Sequence, residues 1–157
     1  MTCRSIRGAI CVEANEAEAI TRATRELLEH IVAANNISAE DVVSVIFTAT
    51  PDLNAAYPAP AAREMGWVHV PLLCMQEMAV ADSLPRCIRV MVFWNTDLPP
   101  DQIRHVYLGK ARALRPDLVQ EQGEQPWEEK DEETERCPDY YRWPGTDGRL
   151  AGRSAAQ

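Results

Sequence analysis

Apolar positions along the chain follow two different periods, and the alternation between them predicts the order of elements. Cys3 to Val12 is a run of small and apolar residues, interrupted at Gly8, that reads as a strand; Glu13 to Asn15 form a polar turn. From Glu16 to Asn35, Ile20, Ala23, Leu27 and Ile31, with Leu28 and Val32 beside them, recur at helical spacing, and acids sit in the first turn where the helix dipole favours them. Asn35, Asn36 and Ser38 end this helix. Val42 to Ala49 is a β-branched, apolar run that reads as a buried strand. Thr50-Pro51-Asp52 is turn chemistry, and a short helix over Ala59 to Met65 stops at Gly66.

Trp67 to Leu73 is expected to be a third strand. Cys87 to Trp94 alternates strictly, with Cys87, Arg89, Met91 and Phe93 on one face and Ile88, Val90, Val92 and Trp94 on the other. Both faces are largely apolar, so this strand should be central. Pro99-Pro100-Asp101 breaks the chain before a short element at His105 to Leu108 and a helical turn around Lys110 to Leu114. The order predicts an α/β (α+β) domain: a mixed β-sheet with helices packed on one face. No internal repeat is evident.

The pattern stops after Val119. Residues 121 to 135 hold eight acids and one Lys, and from Gln120 onward Leu150 is the only Leu, Ile, Val, Met or Phe. Such a segment cannot offset its ordering entropy by burial. The expected organisation is a folded domain over 1–119 and a disordered acidic extension over 120–157, in which Trp127, Tyr140, Tyr141 and Trp143 could dock locally.

Charge sharpens this division. The chain of 157 residues carries a net charge of -8, but 10 of its 24 acids lie in the extension against 5 of its 16 bases. The folded part is therefore close to neutral, and ten of its eleven bases are Arg, the side chain suited to bidentate carboxylate recognition. The overall acidity argues against nucleic acid or an anionic membrane as partner. No stretch approaches the roughly 20 apolar residues of a transmembrane helix, and the N-terminus does not read as a signal peptide. Five cysteines, Cys3, Cys11, Cys74, Cys87 and Cys137, without CxxC spacing read as reduced cytoplasmic thiols.

The most informative residue in the core pattern is Arg89. A guanidinium in the middle of Cys-Ile-Arg-Val-Met-Val-Phe-Trp needs an anion, either a structural partner such as Glu77 or Asp97, or a ligand. Arg7 poses the same question in the first strand, with an edge-strand charge facing water as its plain alternative. Glu77 follows the apolar segment Pro71 to Met75 and, taken alone, reads as a solvated loop carboxylate. Cys74, without a histidine partner, reads better as a small buried residue than as a nucleophile. His30, His69 and His105 lack metal-ligand spacing. There is no GxGxxG, no P-loop and no Gly-x-Ser-x-Gly motif.

Taken together, several short segments resemble the trimeric α/β (pseudo-barrel) class of chorismate mutases. They are Arg4 to Ala9, Ala49 to Leu53, Tyr57 to Ala59 with Ala61 to Glu64, Cys74-Met75-Gln76-Glu77-Met78, Cys87 to Met91, Asp101 to Leu108 and Leu114 to Leu118. The resemblance implies an isomerase that converts chorismate, a small dianion, to prephenate in phenylalanine and tyrosine biosynthesis. It also implies no cofactor and a homotrimer with pockets between subunits. By position it implies that Arg7, Arg63, Arg89 and Tyr107 contact substrate. The stretch Leu73, Cys74, Met75, Gln76 and Glu77 would form the pocket wall, with Cys74 and Glu77 as its contacting side chains, and Tyr57, Leu114 and Arg115 would lie near the mouth. Arg89, Glu77 and Arg7 are the residues expected to carry catalysis.

Three departures stand out: Pro60 replaces a common Lys, Leu73 replaces a frequent Thr, and the chain is one residue shorter around Gly66. Two other readings remain at this level. One is an imine deaminase of the similarly built small trimers, the other a metabolite-binding trimer without turnover. The rearrangement is intramolecular and pericyclic, so it asks for conformer selection and charge stabilisation in place of a nucleophile. An arginine-rich pocket in an otherwise acidic chain suits that requirement.

Overall fold

A computed structural model describes residues 1–121. Its elements are β1 (Thr2–Cys11), α1 (Ala17–Asn35), β2 (Val42–Ala49), α2 (Ala59–Glu64), β3 (Leu72–Gln76), β4 (Cys87–Thr96), β5 (Val106–Leu108) and α3 (Pro116–Glu121), with 3-10 turns at Ala39–Asp41, Pro100–Gln102 and Gly109–Leu114. The boundary expected at Val119 falls inside α3. The acidic extension beyond Glu121, with Cys137 and its four aromatic residues, lies outside the described residues.

The five strands form one mixed sheet in the order β3-β2-β4-β1-β5. β4 is central, as its two apolar faces require, and runs antiparallel to both β2 and β1, whereas β3 and β5 lie parallel to β2 and β1. β1 is consequently an interior strand, so Arg7 is not an edge charge.

Helices α1 and α2 cover one face, while the turn Gly109–Leu114 packs Ala111 and Leu114 on Ala9 and Cys87 of the other. Ile6, Ile10, Val45, Phe47, Ile88, Val90 and Val92 pack on the helix face with Ile20, Leu27, Leu28 and Ile31 of α1 in a single core. β1 runs unbroken through Gly8, where the sequence suggests an interruption. The glycine serves close packing: a Cβ at this position would meet Ile31 Cδ1 at 2.8 Å and Leu27 Cδ1 at 3.1 Å. α1 ends at Asn36 in the left-handed conformation (φ 51°), with its N–H donating to the Val32 carbonyl.

The third strand differs from expectation. It spans Leu72–Gln76, and not Trp67 to Leu73. Gly66 turns the chain at φ +94°, and Trp67 is buried as a core plug while Val68 and His69 face solvent. Pro71 has no N–H for the ladder; its carbonyl accepts from Val45 N–H at 3.0 Å and pairing begins with the next residue. Among the described residues no helix is long and apolar enough to cross a membrane.

Candidate active site on the open face of the sheet

Strand parity puts every second residue on the face opposite the helices. One cross-strand row there runs Met75 (β3), Thr48 (β2), Arg89 (β4), Ala9 (β1) and Tyr107 (β5). Arg7 lies two residues from Ala9 on the same face, paired with Met91. Ala9, the smallest side chain in the row, lies between the guanidinium of Arg89 and the phenol of Tyr107. The register thus brings Arg7, Arg89 and Tyr107 onto one face around Ala9, which is itself buried beneath Ala111 and Leu114.

The strands are held so that this row is fixed. At the start of β4, Thr50 N–H donates to the Cys87 carbonyl (3.0 Å), Cys87 N–H donates to Thr50 Oγ1 (2.9 Å) and Arg86 N–H donates to Asp52 Oδ2 (2.8 Å). The Thr-Pro-Asp turn therefore sets the phase of Arg89. At β5 the same task falls to Asn35, buried at the end of α1: its amide donates to the Arg104 carbonyl and accepts from Arg104 N–H, both at 2.8 Å. Next to it, His105 Nδ1 accepts the Arg7 N–H at 3.1 Å.

Glu77 follows β3 directly, tied by its N–H to the Ala49 carbonyl (2.9 Å). Its carboxylate Oε2 accepts from Thr48 Oγ1 at 2.6 Å and lies 3.5 Å from Arg89 Nε. The Glu77 side chain is 23% exposed and that of Arg89 35%, so the pair is partly desolvated but open on one side. The structural partner that Arg89 requires is thus Glu77; Asp97 pairs instead with the N-terminal ammonium of Met1 at 3.3 Å.

Arg115, after the last 3-10 turn, is held by a bidentate pair with Asp117 (3.0 and 2.8 Å), and this guanidinium holds the Asp117 carboxyl below its usual range. Leu114 is buried with Ala9, Cys87 and Ala111, and Tyr107 packs on them.

The local field is positive. Burial, with the charges of Arg7 and Arg115 acting the same way, pushes the His105 pKa down to about 4, so the ring is neutral and able to accept from Arg7 N–H. Burial raises the Tyr107 phenol, against the opposing fields of Arg7, Arg115 and Arg89. Three guanidiniums therefore act on one phenol, in a chain of net charge -8.

Other expected site residues are placed differently. In the segment 73–77, Leu73 and Met75 are the side chains on the Arg face, 54% and 48% exposed. Cys74 has the opposite parity and within one chain packs against the helix-side core. Gln76 shares the parity of Cys74 and is exposed at the strand end. Tyr57 is 75% exposed and Arg63 lies exposed on α2; within one chain both stand outside the row. Thr48, Asn35 and His105 are the residues that sequence reasoning missed. Among the described residues no cluster of His, Cys, Asp or Glu could hold a metal ion.

A sheet with helices on one side and an arginine-lined, tyrosine-backed face on the other defines a small α/β domain built to hold a compact anion. The family of chorismate mutase type I matches residues 3–118, and the chain belongs to that family. It is 54% identical over 119 residues to the chorismate mutase AroH of Bacillus subtilis (strain 168), covering 75% of this chain and 94% of that protein. It is 57% identical over 116 residues to the chorismate mutase AroH of Thermus thermophilus, covering 73% and 95%. Among solved structures, a chorismate mutase from Clostridium thermocellum superposes with a TM-score of 0.69 at 47% identity, covering 69% of this chain and 97% of that one. These similarities do not favour the imine-deaminase or non-catalytic readings.

Proposed function

We propose that this protein is a chorismate mutase, an isomerase that rearranges chorismate to prephenate on the route to phenylalanine and tyrosine. The observation that carries the assignment, beside family membership, is the convergence of Arg7, Arg89 and Arg115 on Tyr107 with Glu77 at the far side of Arg89. Chorismate presents two carboxylates, a ring hydroxyl and an ether bridge whose oxygen gains negative charge as the bond breaks. Arg7 and Arg89 take the carboxylates, and Arg89 also donates to the ether oxygen. Glu77, held by Thr48, accepts from the ring hydroxyl and faces the positive allylic fragment. Tyr107 supplies a hydrogen bond and an aromatic wall, Leu73 and Met75 an apolar one, while Leu114 and Arg115 border the entrance. From Cys74 and Gln76 of the same chain only backbone groups are then available to the ligand. The work is done by preorganised charge and by selection of the compact conformer.

The protein acts as a homotrimer with its pockets between subunits. The Arg face keeps Leu73 and Met75 largely exposed, and Ile46, Met91 and Phe93 only partly buried, an apolar surface that a neighbouring copy would cover. In this assembly Tyr57 and Arg63, which stand outside the row in one chain, reach it from a neighbour. Free thiols at Cys3, Cys11, Cys74 and Cys87 suit a reducing cytoplasm.

Incubating purified protein with chorismate tests the assignment. Prephenate should form without metal or cofactor; absence of prephenate, with ammonia released from an enamine substrate instead, would move the assignment to the deaminase class.

A further inference from the structure

Two cysteines that the mechanism does not use face each other across the sheet. Cys11 ends β1, Cys87 begins β4, and the two are directly paired in the antiparallel register. The N–H and carbonyl of Cys87 are both turned toward Thr50, away from β1, while the next hydrogen bond between the β1 and β4 chains is made by Val12 N–H and the Arg86 carbonyl (2.7 Å). Cys11 and Cys87 are therefore a non-hydrogen-bonded pair, the kind whose Cα atoms approach to about 4.5 Å with side chains closest. That separation lies within the range disulfides use. Parity puts both thiols on the Arg face, with Cys87 two residues from Arg89.

We propose that Cys11 and Cys87 are a reversible thiol modification site, closing to a cross-strand disulfide under attack by a small-molecule disulfide and thereby displacing Arg89. Cys11 is half-buried and Cys87 is 1% exposed, so Cys11 is the entry sulfur. The Cys11 thiolate attacks one sulfur of oxidised glutathione and a glutathione thiolate leaves. Cys87, deprotonated, then displaces the second glutathione thiolate from the mixed disulfide. The protein loses two hydrogens, and one glutathione disulfide becomes two glutathione thiols. The surroundings give the two sulfurs different roles. Cys87 and burial hold the Cys11 thiol up, so the entry step runs through a small thiolate fraction, whereas Cys11 and Arg89 hold the Cys87 thiol down and suit it to resolve the mixed disulfide.

Arg89, two residues along β4 on the same face, lies near enough to Cys87 to help hold its thiol down. Oxidation turns the ionisable Cys87 thiol into a neutral disulfide sulfur on one side of the guanidinium while the Glu77 carboxylate stays on the other, drawing Arg89 toward Glu77. The effect on turnover rests on the role given to Arg89 above; the disulfide itself does not.

Full-length folded protein, incubated with oxidised glutathione and alkylated before digestion, should yield a peptide joining Cys11 to Cys87. Exposed Cys3 serves as the control for reagent access. Chorismate turnover should fall about tenfold, less than for outright loss of an oxyanion donor. Dithiothreitol should restore it, and Cys11→Ser or Cys11→Ala should abolish both bridge and inhibition. No Cys11–Cys87 peptide once Cys3 is fully glutathionylated would overturn the site, and a bridged protein of unchanged turnover would overturn the coupling to Arg89. A reduced protein inactive on chorismate but still forming the bridge would strike the mutase reading and leave the thiol site standing.

Discussion

The two faces of the sheet are made from alternate residues of the same five strands, yet they do opposite things. On the helix side Ile6, Phe47, Ile88 and Val92 are fully buried and identical in character, and Gly8 lets α1 approach closely. On the other side the same strands present Arg7, Thr48, Arg89 and Tyr107, partly buried and mutually dependent. One face stores the stability and the other holds charges that an apolar core could not hold without loss. A period of two lets a single strand such as β4 serve both.

Substitutions can break this division, beginning with the largest effect. Phe47→Ala, on the helix face, should cost about 3–5 kcal/mol in chemical denaturation while turnover per folded molecule stays near normal. Arg89→Ala should do the reverse, lowering kcat/KM for chorismate by about 10²- to 10³-fold with a melting temperature close to the parent. Gly8→Ala drives a methyl against Ile31 and Leu27, and thermal melts should show a loss of about 1–3 kcal/mol. Thr48→Val keeps the shape and removes the donor to Glu77; kcat should fall about tenfold, the equivalent of one ordinary hydrogen bond to a charged group, with little change in stability.

The smallest expected effect is a pH dependence. His105 has a pKa of about 4 in the fold against 6.5 when unfolded, so the unfolded chain binds the proton first as pH falls. The stability associated with neutral His105 is whole above pH 6.5 and is lost between 6.5 and about 4. His105→Asn, which offers Arg7 N–H an oxygen in place of Nδ1, should flatten denaturation midpoints across that window.

Much of this was legible in the chain. Strict alternation in β4 gave away its central place and put Arg89 among core residues, and the helical spacing of Ile20 to Ile31 predicted α1 almost to the residue. The third strand was misplaced because Trp67, Val68 and Val70 have strand-forming character, while Pro71 withholds the N–H that would start the ladder earlier. Register is the information a linear pattern lacks. That Thr48 lies opposite Arg89 and bonds Glu77, that Asn35 holds the β5 approach, and that Cys74 faces the core follow from pairings between strands far apart in sequence. The separation of Tyr57 and Arg63 from the Arg row was equally invisible, because motif order carries no information on which elements lie side by side.

In the proposed mechanism Arg89 acts on charge developing at the ether oxygen, and Arg89→Lys tests that role most directly. Lysine keeps the positive charge but loses the planar fork. Steady-state kinetics on chorismate should show kcat falling far more than KM rises, because the lost donor acts in the transition state. Near-parental kcat in Arg89→Lys would contradict the account.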